Sequence, residues 1–248
     1  MCRMMAMVGG APGREALEEF RGLAASGNVL PGGTCGHGDG WGFSAFRDGA
    51  PVLYEKSGLS ATEDARFERA AEAMRAAAPD ILLAHLRKAS QGSVNDLNAH
   101  PFQREGIAFC HNGGMRQSER IPTYGLEPEG GTDSERLFLN ILGRLKNGEA
   151  ATLREAAEGA IAFVHENLPY SSICFLLTDG HELIVWRDYR TELRPEETAA
   201  PENFDIFPEY YTLYRSESAR AVCSQPLPAL ADDWKLIENR TFLTLKAK

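Results

Sequence analysis

The sequence predicts an α+β fold built from largely antiparallel sheets. Apolar runs of strand length occur in clusters, and the clearest helical patterns form a block between those clusters. Parallel sheets would instead show single strands alternating with single helices, so this order favours antiparallel pairing. Two Asp-Gly dipeptides, Asp48-Gly49 and Asp179-Gly180, each lie between apolar runs. Such a dipeptide is a strong local signal for a tight hairpin, which requires antiparallel strands.

The two hairpins supply four of about nine predicted strands. One hairpin joins residues 40–47 to 51–56, and the other joins residues 172–178 to 182–189. Further runs rich in aliphatic and aromatic residues predict strands at 81–87, 107–110, 210–214, 220–223 and 234–245.

Helical periodicity is clearest at residues 134–145 and 153–168. In the first segment the apolar residues fall on one face, namely Leu137, Phe138, Ile141, Leu142 and Leu145. Weaker apolar stripes predict helices at 14–25 and 62–77, the latter with Thr62 as its N-cap. Four helices on two sheets are enough for one domain.

The composition is that of a globular protein, with a single domain expected over residues 1–248. Apolar residues make up 43% of the chain and charged residues 25%, which excludes a disordered or low-complexity chain. No apolar run approaches the roughly 20 residues that span a bilayer. Acidic residues outnumber basic ones by 35 to 26 without a basic cluster, so neither nucleic acid nor membrane is an expected partner. We expect a cytoplasmic protein.

The segment 188–209 differs from the rest of the chain. It contains Pro195, Pro201 and Pro208 among many acidic residues. Loops of this length are typical of either a solvated insertion or a binding lid, and the composition favours a surface excursion.

Five cysteines form no Cys-x-x-Cys pair. This usage is typical of a reducing compartment and favours neither a disulfide framework nor a structural zinc site. We therefore expect no bound metal, and no motif indicates a cofactor. Most of these cysteines are expected to be small buried hydrophobes.

Cys2 has a place in the chain that suits a nucleophile. We expect removal of Met1, because cysteine is a small second residue, and this leaves Cys2 with a free α-amino group. A terminal amine ordinarily titrates at about pH 7.7 to 8.0, so it is able to accept the thiol proton. The alternative is that Cys2 is an unconstrained terminal residue. Polar clusters farther along the chain favour the nucleophile.

The first clusters lie at the ends of predicted strands. The segment 36–42 holds four glycines, which permit close backbone approach; a phosphate-binding loop would need a Gly-Lys-Ser/Thr ending that is absent. Arg87 ends the strand 81–87, where its guanidinium suits either a ligand carboxylate or an edge salt bridge. The segment 98–102, which contains His100, is equally typical of a tight turn.

Two later clusters also allow two interpretations. Asn112-Gly113 follows the strand 107–110 and is typical of a turn, yet these residues also offer two donors for one developing oxyanion. Thr132 and Asp133 open the clearest helix and either of them would serve as its N-cap. An aspartate there could equally accept hydrogen bonds from a substrate ammonium.

Together these clusters resemble a known family, the class II glutamine amidotransferases, which are N-terminal nucleophile hydrolases. The resemblance rests on ordered motifs over about residues 2–140, namely Met1-Cys2-Arg3, Asp39-Gly40-Trp41-Gly42, Ala84 to Ser90, His100-Pro101-Phe102, His111-Asn112-Gly113 and Thr132 to Glu135. The later segments 211–214 and 224–227 resemble the short stand-alone branch of the family, which includes the γ-glutamyl hydrolase of ergothioneine biosynthesis.

The resemblance implies a four-layer αββα sandwich, with two mostly antiparallel sheets between layers of helices. It also implies that Cys2 is the nucleophile, that its own amine is the base, and that Asn112 and Gly113 form the oxyanion hole. The implied reaction is attack of Cys2 on the γ-amide of glutamine or of a γ-glutamyl small molecule. Ammonia or an amine leaves, and water hydrolyses the γ-glutamyl thioester.

The remaining roles follow from the same resemblance. Arg87 would bind the substrate α-carboxylate and Asp133 its α-ammonium, with Ser90 and His100 lining the pocket. The chain reads Arg87-Lys88-Ala89-Ser90-Gln91 where synthase-fused members of the family tend to have Arg-Trp-Ala-Thr-His, and this departure is shared with the stand-alone branch.

Three alternatives remain open from the sequence. The chain could supply ammonia to a separate synthase partner, because too few residues follow the last motif to form a synthase domain. It could also be a catalytically silent glutamine-binding regulatory protein, although a degenerate copy would be expected to have lost part of the site. A cysteine hydrolase that uses Cys110 or Cys35 has no supporting motif.

Overall fold

A computed structural model describes residues 2–29, 33, 36–192 and 210–247. Two sheets lie face to face, and a pair of helices covers the outer face of each sheet. These four layers, in the order αββα, confirm the predicted fold class. Within the described ranges, no helix is long and apolar enough to cross a membrane.

The strands of this fold number twelve among the described residues. They are β1 (Arg3–Val8), β2 (Trp41–Arg47), β3 (Ala50–Ser57), β4 (Ile81–Leu86), β5 (Phe102–Arg104), β6 (Ile107–Met115), β7 (Tyr170–Thr178), β8 (Glu182–Arg187), β9 (Tyr214–Ser216), β10 (Ala221–Cys223), β11 (Lys235–Leu236) and β12 (Thr241–Lys246).

The strands form a seven-stranded and a five-stranded sheet, and every pairing within them is antiparallel. The order is β11-β9-β10-β1-β4-β2-β3 in the larger sheet and β12-β8-β7-β6-β5 in the smaller one. Both predicted Asp-Gly hairpins are present, as β2-β3 and β7-β8. At the first turn Asp48 and Gly49 both have positive φ angles, of 51° and 74°, which a tight two-residue hairpin requires.

Helices α1 (Arg14–Ser26) and α2 (Arg66–Ala76) cover the larger sheet, whereas α3 (Asp133–Lys146) and α4 (Leu153–Asn167) cover the smaller one. Strand β4 shows why the sheets have two buried faces. Leu82 packs under α1 and α2, and the next residue, Leu83, packs between the sheets. Because both faces are covered, the strand is apolar throughout and does not alternate with polar residues.

Several predicted element boundaries are wrong. Helix α2 begins at Arg66 rather than Thr62, because residues 61–63 form a turn in which the Thr62 hydroxyl bonds Ser60 and does not cap the helix. The predicted strand at 234–245 is divided into β11 and β12, and the predicted strand at 210–214 is replaced by β9. Strands β1 and β5 had not been predicted.

The predicted surface excursion at 188–209 is wrong for its first residues. Asp188 is fully buried, and its Oδ2 lies 2.6 Å from the Nε2 of His165. Arg190 is also buried, and its guanidinium donates to the Tyr170 carbonyl oxygen across 3.3 Å. The part of the prediction at 193–209 lies outside the described residues.

Candidate active site

Cys2 lies immediately before β1, near the middle of the larger sheet. Its side chain is buried, and its Sγ accepts a hydrogen bond from the Lys88 N–H across 3.3 Å. Burial raises the pKa of the Cys2 thiol, while the Lys88 N–H and the positive charges of Arg87 and Arg3 oppose that rise. Because only the thiolate attacks efficiently, this thiol needs a base close to it.

Asn112, on strand β6, links the smaller sheet to Cys2. The Asn112 side-chain Nδ2 donates to the Cys2 carbonyl oxygen across 3.0 Å, and the Asn112 side chain is almost completely buried. Its backbone carbonyl oxygen accepts a hydrogen bond from the Ser172 hydroxyl on β7, across 3.2 Å. The residue is therefore held from two neighbouring elements, with its side-chain amide directed at Cys2.

Gly113 occupies a position that only glycine fits. Its φ angle is 152°, and a β-carbon there would lie 1.8 Å from the Ser172 carbonyl oxygen. Asn112 and Gly113 were expected to follow a strand, but they lie inside β6, which continues to Met115. The pairing of β6 with β7 shifts between Gly113 and Met115, so an irregularity in the ladder follows the proposed oxyanion residues.

Arg87 follows β4, and its backbone is hydrogen-bonded to the residues just before β2. The Arg87 N–H donates to the Gly40 carbonyl oxygen across 2.7 Å, and the Asp39 N–H donates to the Arg87 carbonyl oxygen across 2.9 Å. The guanidinium is buried and donates to the backbone carbonyls of Gln91, at 2.8 Å, and Ser93, at 2.9 Å.

The alternative interpretation of Arg87 is an edge salt bridge. Over the described part of the chain, Arg87 takes part in no ion pair. Burial lowers its pKa, and the nearby Cys2, Asp39 and Asp133 oppose that change. The site thus holds a buried cation that donates to neutral backbone carbonyls, which suits the binding of an anion.

Asp133 is the first residue of α3, and Thr132 is the N-cap, whose hydroxyl accepts the Glu135 N–H across 3.1 Å. Asp133 Oδ2 accepts the Met115 N–H at 2.8 Å and the Gln91 side-chain Nε2–H at 3.3 Å. The carboxylate is buried at the positive end of the helix dipole, where a negative charge is favoured.

The remaining two predicted site residues differ in their surroundings. Ser90 is exposed on the turn that follows Arg87. His100 is buried, and its ring stacks on His85 with centroids 4.4 Å apart and contacts Phe102 at the same distance. Burial lowers the pKa of both histidines well below the usual value, so each ring is neutral. Pocket lining by Ser90 and His100 remains a prediction.

The candidate site includes two further residues that the sequence did not reveal. Gln91 bonds Asp133 and lies between it and Arg87, and its only sequence signal is the departure from the family's Arg-Trp-Ala-Thr-His motif. Arg3 is buried beside Cys2, with its Nη1 donating to the Cys2 carbonyl oxygen at 3.4 Å and its Nη2 donating to the Asn28 carbonyl oxygen.

The glycine-rich segment 36–42 packs against the protein itself. A β-carbon on Gly42 would lie 2.5 Å from the His100 carbonyl oxygen, and one on Gly36 would lie 2.3 Å from the Ala24 carbonyl oxygen. Close approach of the chain to itself therefore explains these glycines without a bound phosphate. Among the described residues, no group of three or more His, Cys, Asp or Glu side chains could hold a metal ion.

An αββα sandwich that places a cysteine at the head of a central strand has the fold of the N-terminal nucleophile hydrolases. A solved structure from Silicibacter pomeroyi, described as a glutamine aminotransferase class-II domain protein, is similar, with a TM-score of 0.59 and 19% sequence identity. The similarity covers 99% of this chain and 95% of that one, and it shows the fold. Residues 1–246 match the family described as glutamine amidotransferases class-II, and the chain belongs to this family.

Two curated relatives are similar to this chain over most of its length. An uncharacterized protein of Methanocaldococcus jannaschii is 29% identical over 222 residues, which cover 85% of this chain and 61% of the relative. A probable glutamine amidotransferase of Saccharomyces cerevisiae is 28% identical over 207 residues, which cover 67% of this chain and 57% of the relative. The chain therefore spans a little under two thirds of the length of each.

Proposed function

We propose that this protein cleaves the γ-amide of glutamine or of a γ-glutamyl small molecule, with Cys2 as the nucleophile. The observation that carries this proposal is the double anchoring of Cys2. Its sulfur accepts the Lys88 N–H, and its carbonyl oxygen accepts the Asn112 amide. These contacts hold the thiol next to a buried cation, Arg87, and beside an amide donor from the other sheet.

The first chemical step is attack by the Cys2 thiolate. After removal of Met1, the free α-amine of Cys2 accepts the thiol proton, directly or through one water molecule. The sulfur forms a bond to the γ-carbonyl carbon, and the carbonyl π electrons move to the oxygen. Collapse of this tetrahedral intermediate breaks the C–N bond, and the amine leaves with the proton that the terminal ammonium returns.

The second step releases glutamate. Water adds to the γ-glutamyl thioester as the terminal amine accepts one of its protons, and the Cys2 sulfur leaves as a thiolate that regains the proton. Both tetrahedral intermediates carry a negative oxygen. The Asn112 side chain and the Gly113 N–H are the donors proposed to stabilise that charge, and removal of one such donor typically lowers kcat by about 100-fold to 1000-fold.

The glutamyl part of the substrate is recognised by two buried charges. The Arg87 guanidinium pairs with the α-carboxylate, because its planar fork matches two carboxylate oxygens. Asp133 accepts hydrogen bonds from the α-ammonium, and Ser90 and His100 are proposed to complete the pocket. Only an amino acid with both groups satisfies both ends of the site.

The leaving group is either ammonia or a larger amine. Ammonia would serve a synthase partner chain, whereas a larger amine would be released by a free-standing γ-glutamyl hydrolase like the one in the stand-alone branch. These possibilities are separated by kinetics on the isolated chain. Fast turnover of a γ-glutamyl amide with a bulky amine supports the hydrolase, and glutamine turnover only with an added partner supports the ammonia supplier.

The proposal is tested by intact mass before and after incubation with the diazo-ketone analogue of glutamine, 6-diazo-5-oxo-L-norleucine. We expect loss of Met1 and a single adduct that disappears in Cys2→Ala. Cys223→Ala is the matched control, because Cys223 is also buried but lies on β10 away from the proposed pocket. A processed protein that stays unlabelled and does not hydrolyse glutamine would instead support the silent binding protein.

A further inference from the structure

The two charged side chains proposed to bind the substrate are linked by one short segment of the chain itself. The Gln91 side-chain Nε2 donates to Asp133 Oδ2 across 3.3 Å and to the Met115 carbonyl oxygen across 3.1 Å. The Gln91 backbone carbonyl accepts from Arg87 Nη2 across 2.8 Å, and the Ser93 carbonyl accepts from Nη1 across 2.9 Å. A single residue, Gln91, therefore contacts both ends of the site.

Gln91 makes the contacts that a glutamyl substrate is proposed to make, but it makes them with uncharged groups. Its backbone carbonyl stands where the substrate α-carboxylate would meet Arg87, and its amide N–H stands where the α-ammonium would meet Asp133. A substrate with both charges would replace each of these contacts between an ion and a neutral group by a contact between opposite charges, which adds Coulomb attraction where water is largely excluded. A free amino acid with both charges is therefore able to compete with the attached neutral groups.

Burial of the site requires that something move before a substrate binds. The exposed fraction is 8% for Cys2, 2% for Arg87 and 4% for Asp133, so the two binding groups and the nucleophile are covered by protein. Ser90 and Gly92, on either side of Gln91, are both exposed. The covering residue thus lies in a surface turn, where movement disturbs little of the core.

Both ends of this turn are hydrogen-bonded to residues outside it. At one end the Ala89 N–H donates to Asp39 Oδ2 across 2.8 Å. At the other end the Asn98 side-chain Nδ2 donates to the Ser93 carbonyl oxygen across 2.9 Å. Gly92 lies between them with a φ angle of 72°, a conformation that favours glycine.

We infer that Gln91 is an internal substitute for the substrate, and that a glutamyl ligand binds by displacing it from Asp133 and Arg87. This inference rests on the proposed function of the same site. It makes Gln91 a determinant of specificity, because an amino acid or amide that lacks either charged end gains too little to displace it. The apparent affinity for glutamine is lowered by the fraction of molecules in which Gln91 occupies the site.

Binding of L-glutamine to the Cys2→Ala variant, measured by isothermal titration calorimetry, tests the inference without turnover. We expect that adding Gln91→Ala tightens binding by roughly threefold to tenfold, because the ligand ammonium no longer competes with the Gln91 side-chain amide for Asp133. 4-Carbamoylbutanoate, which lacks the ammonium, should gain less from the substitution. The matched control is Gln117→Ala in the same background, since Gln117 is exposed and contacts Arg120 rather than the site.

Unchanged or weaker glutamine binding in the Gln91→Ala variant would overturn the inference, because Gln91 would then be inert or a permanent part of the pocket. Absence of glutamine binding in both variants would overturn it as well. Failure of the proposed function has a different signature. A wild-type protein that neither reacts with the diazo-ketone nor hydrolyses glutamine, while Gln91→Ala still tightens binding, rejects the Cys2 chemistry and supports the displacement of Gln91.

Discussion

The side-chain amide of Asn112 donates to the carbonyl oxygen of Cys2 across 3.0 Å, and this contact joins the two sheets at the proposed catalytic centre. Cys2 belongs to the larger sheet and Asn112 to the smaller one. An amide nitrogen carries two hydrogens, so one is used to hold the nucleophile residue and the other is available to a reacting oxygen. We propose that Asn112 both positions Cys2 and supplies a donor to the oxyanion.

Replacing Asn112 with aspartate should reduce kcat while leaving KM within a few-fold. The shape is kept, but the amide donor is lost, and we expect a decrease in kcat of about 100-fold to 1000-fold. Steady-state kinetics with glutamine or a γ-glutamyl anilide measure both parameters. Asn147→Asp is the control, because Asn147 only bonds the Gly143 carbonyl oxygen at the end of α3. Wild-type kcat in Asn112→Asp would remove Asn112 from the oxyanion hole.

Replacing Arg87 with alanine should mainly weaken substrate binding. Loss of one partner from a buried charge pair costs about 2 to 5 kcal/mol, which corresponds to an increase in KM of at least about 30-fold. Arg87→Lys should recover only part of the loss, because lysine cannot form the bidentate contact. Arg47→Ala serves as the control, since that guanidinium is 55% exposed on the surface. An unaltered KM in Arg87→Ala would assign carboxylate binding to another residue.

Gly113→Ala and Gly114→Ala form a matched pair of neighbouring substitutions. A β-carbon on Gly113 would meet the Ser172 carbonyl oxygen at 1.8 Å, whereas one on Gly114 would meet only the Ser171 hydroxyl at an ordinary 3.5 Å. We expect Gly113→Ala to cost about 3 kcal/mol or more through overpacking. Thermal unfolding should show this as a Tm lower by about 6 to 12 °C. Equal Tm values for the pair would show that β6 and β7 separate easily here.

Acid should destabilise the protein through His37. Burial, with the nearby charge of Arg3, lowers the pKa of His37 to about 3 in the folded state, against an ordinary value of 6.5. Between these values the unfolded chain binds a proton that the folded chain does not. The unfolding free energy therefore falls as pH decreases from 6.5 towards 3, by up to about 1.4 kcal/mol per pH unit.

Urea unfolding at several pH values, compared between wild type and His37→Gln, measures the contribution of His37. The variant should lose less stability on acidification. Some dependence on pH should remain, because burial also lowers the pKa of His85 and His100. Identical pH dependence in the two proteins would show that His37 becomes protonated in the fold without cost.

The layers of the fold could be predicted from sequence, and one central strand could not. The Asp-Gly turns defined two hairpins, and the apolar stripe of α3 indicated the face that packs on the smaller sheet. Strand β1 gave no alternating pattern, since both of its faces are covered, with Met4 between the sheets and Met5 under the helices. Its neighbours β4 and β10 are distant in sequence, and no local pattern reveals such pairings.

The candidate site likewise contains some residues that the sequence indicates and others that it does not. Cys2, Arg87 and Asn112 could be proposed from sequence because each belongs to a short motif whose residue types suit one chemical role. Gln91 was missed because its role depends on contact with Asp133, 42 positions away. The packing of His100 on His85 likewise depends on how a turn folds back against β4, which neither residue type nor spacing indicates.

Strand β1 pairs with β4 on one side and with β10 on the other. This arrangement also determines when the proposed catalytic centre is completed during protein synthesis. The Met4 N–H donates to the Ser224 hydroxyl across 2.9 Å, and the Ser224 N–H returns a hydrogen bond to the Met4 carbonyl oxygen. Met4 is therefore synthesised well before its partner Ser224, which follows 220 residues later in the chain. We therefore expect the surroundings of Cys2 to be completed only after β10 has been synthesised.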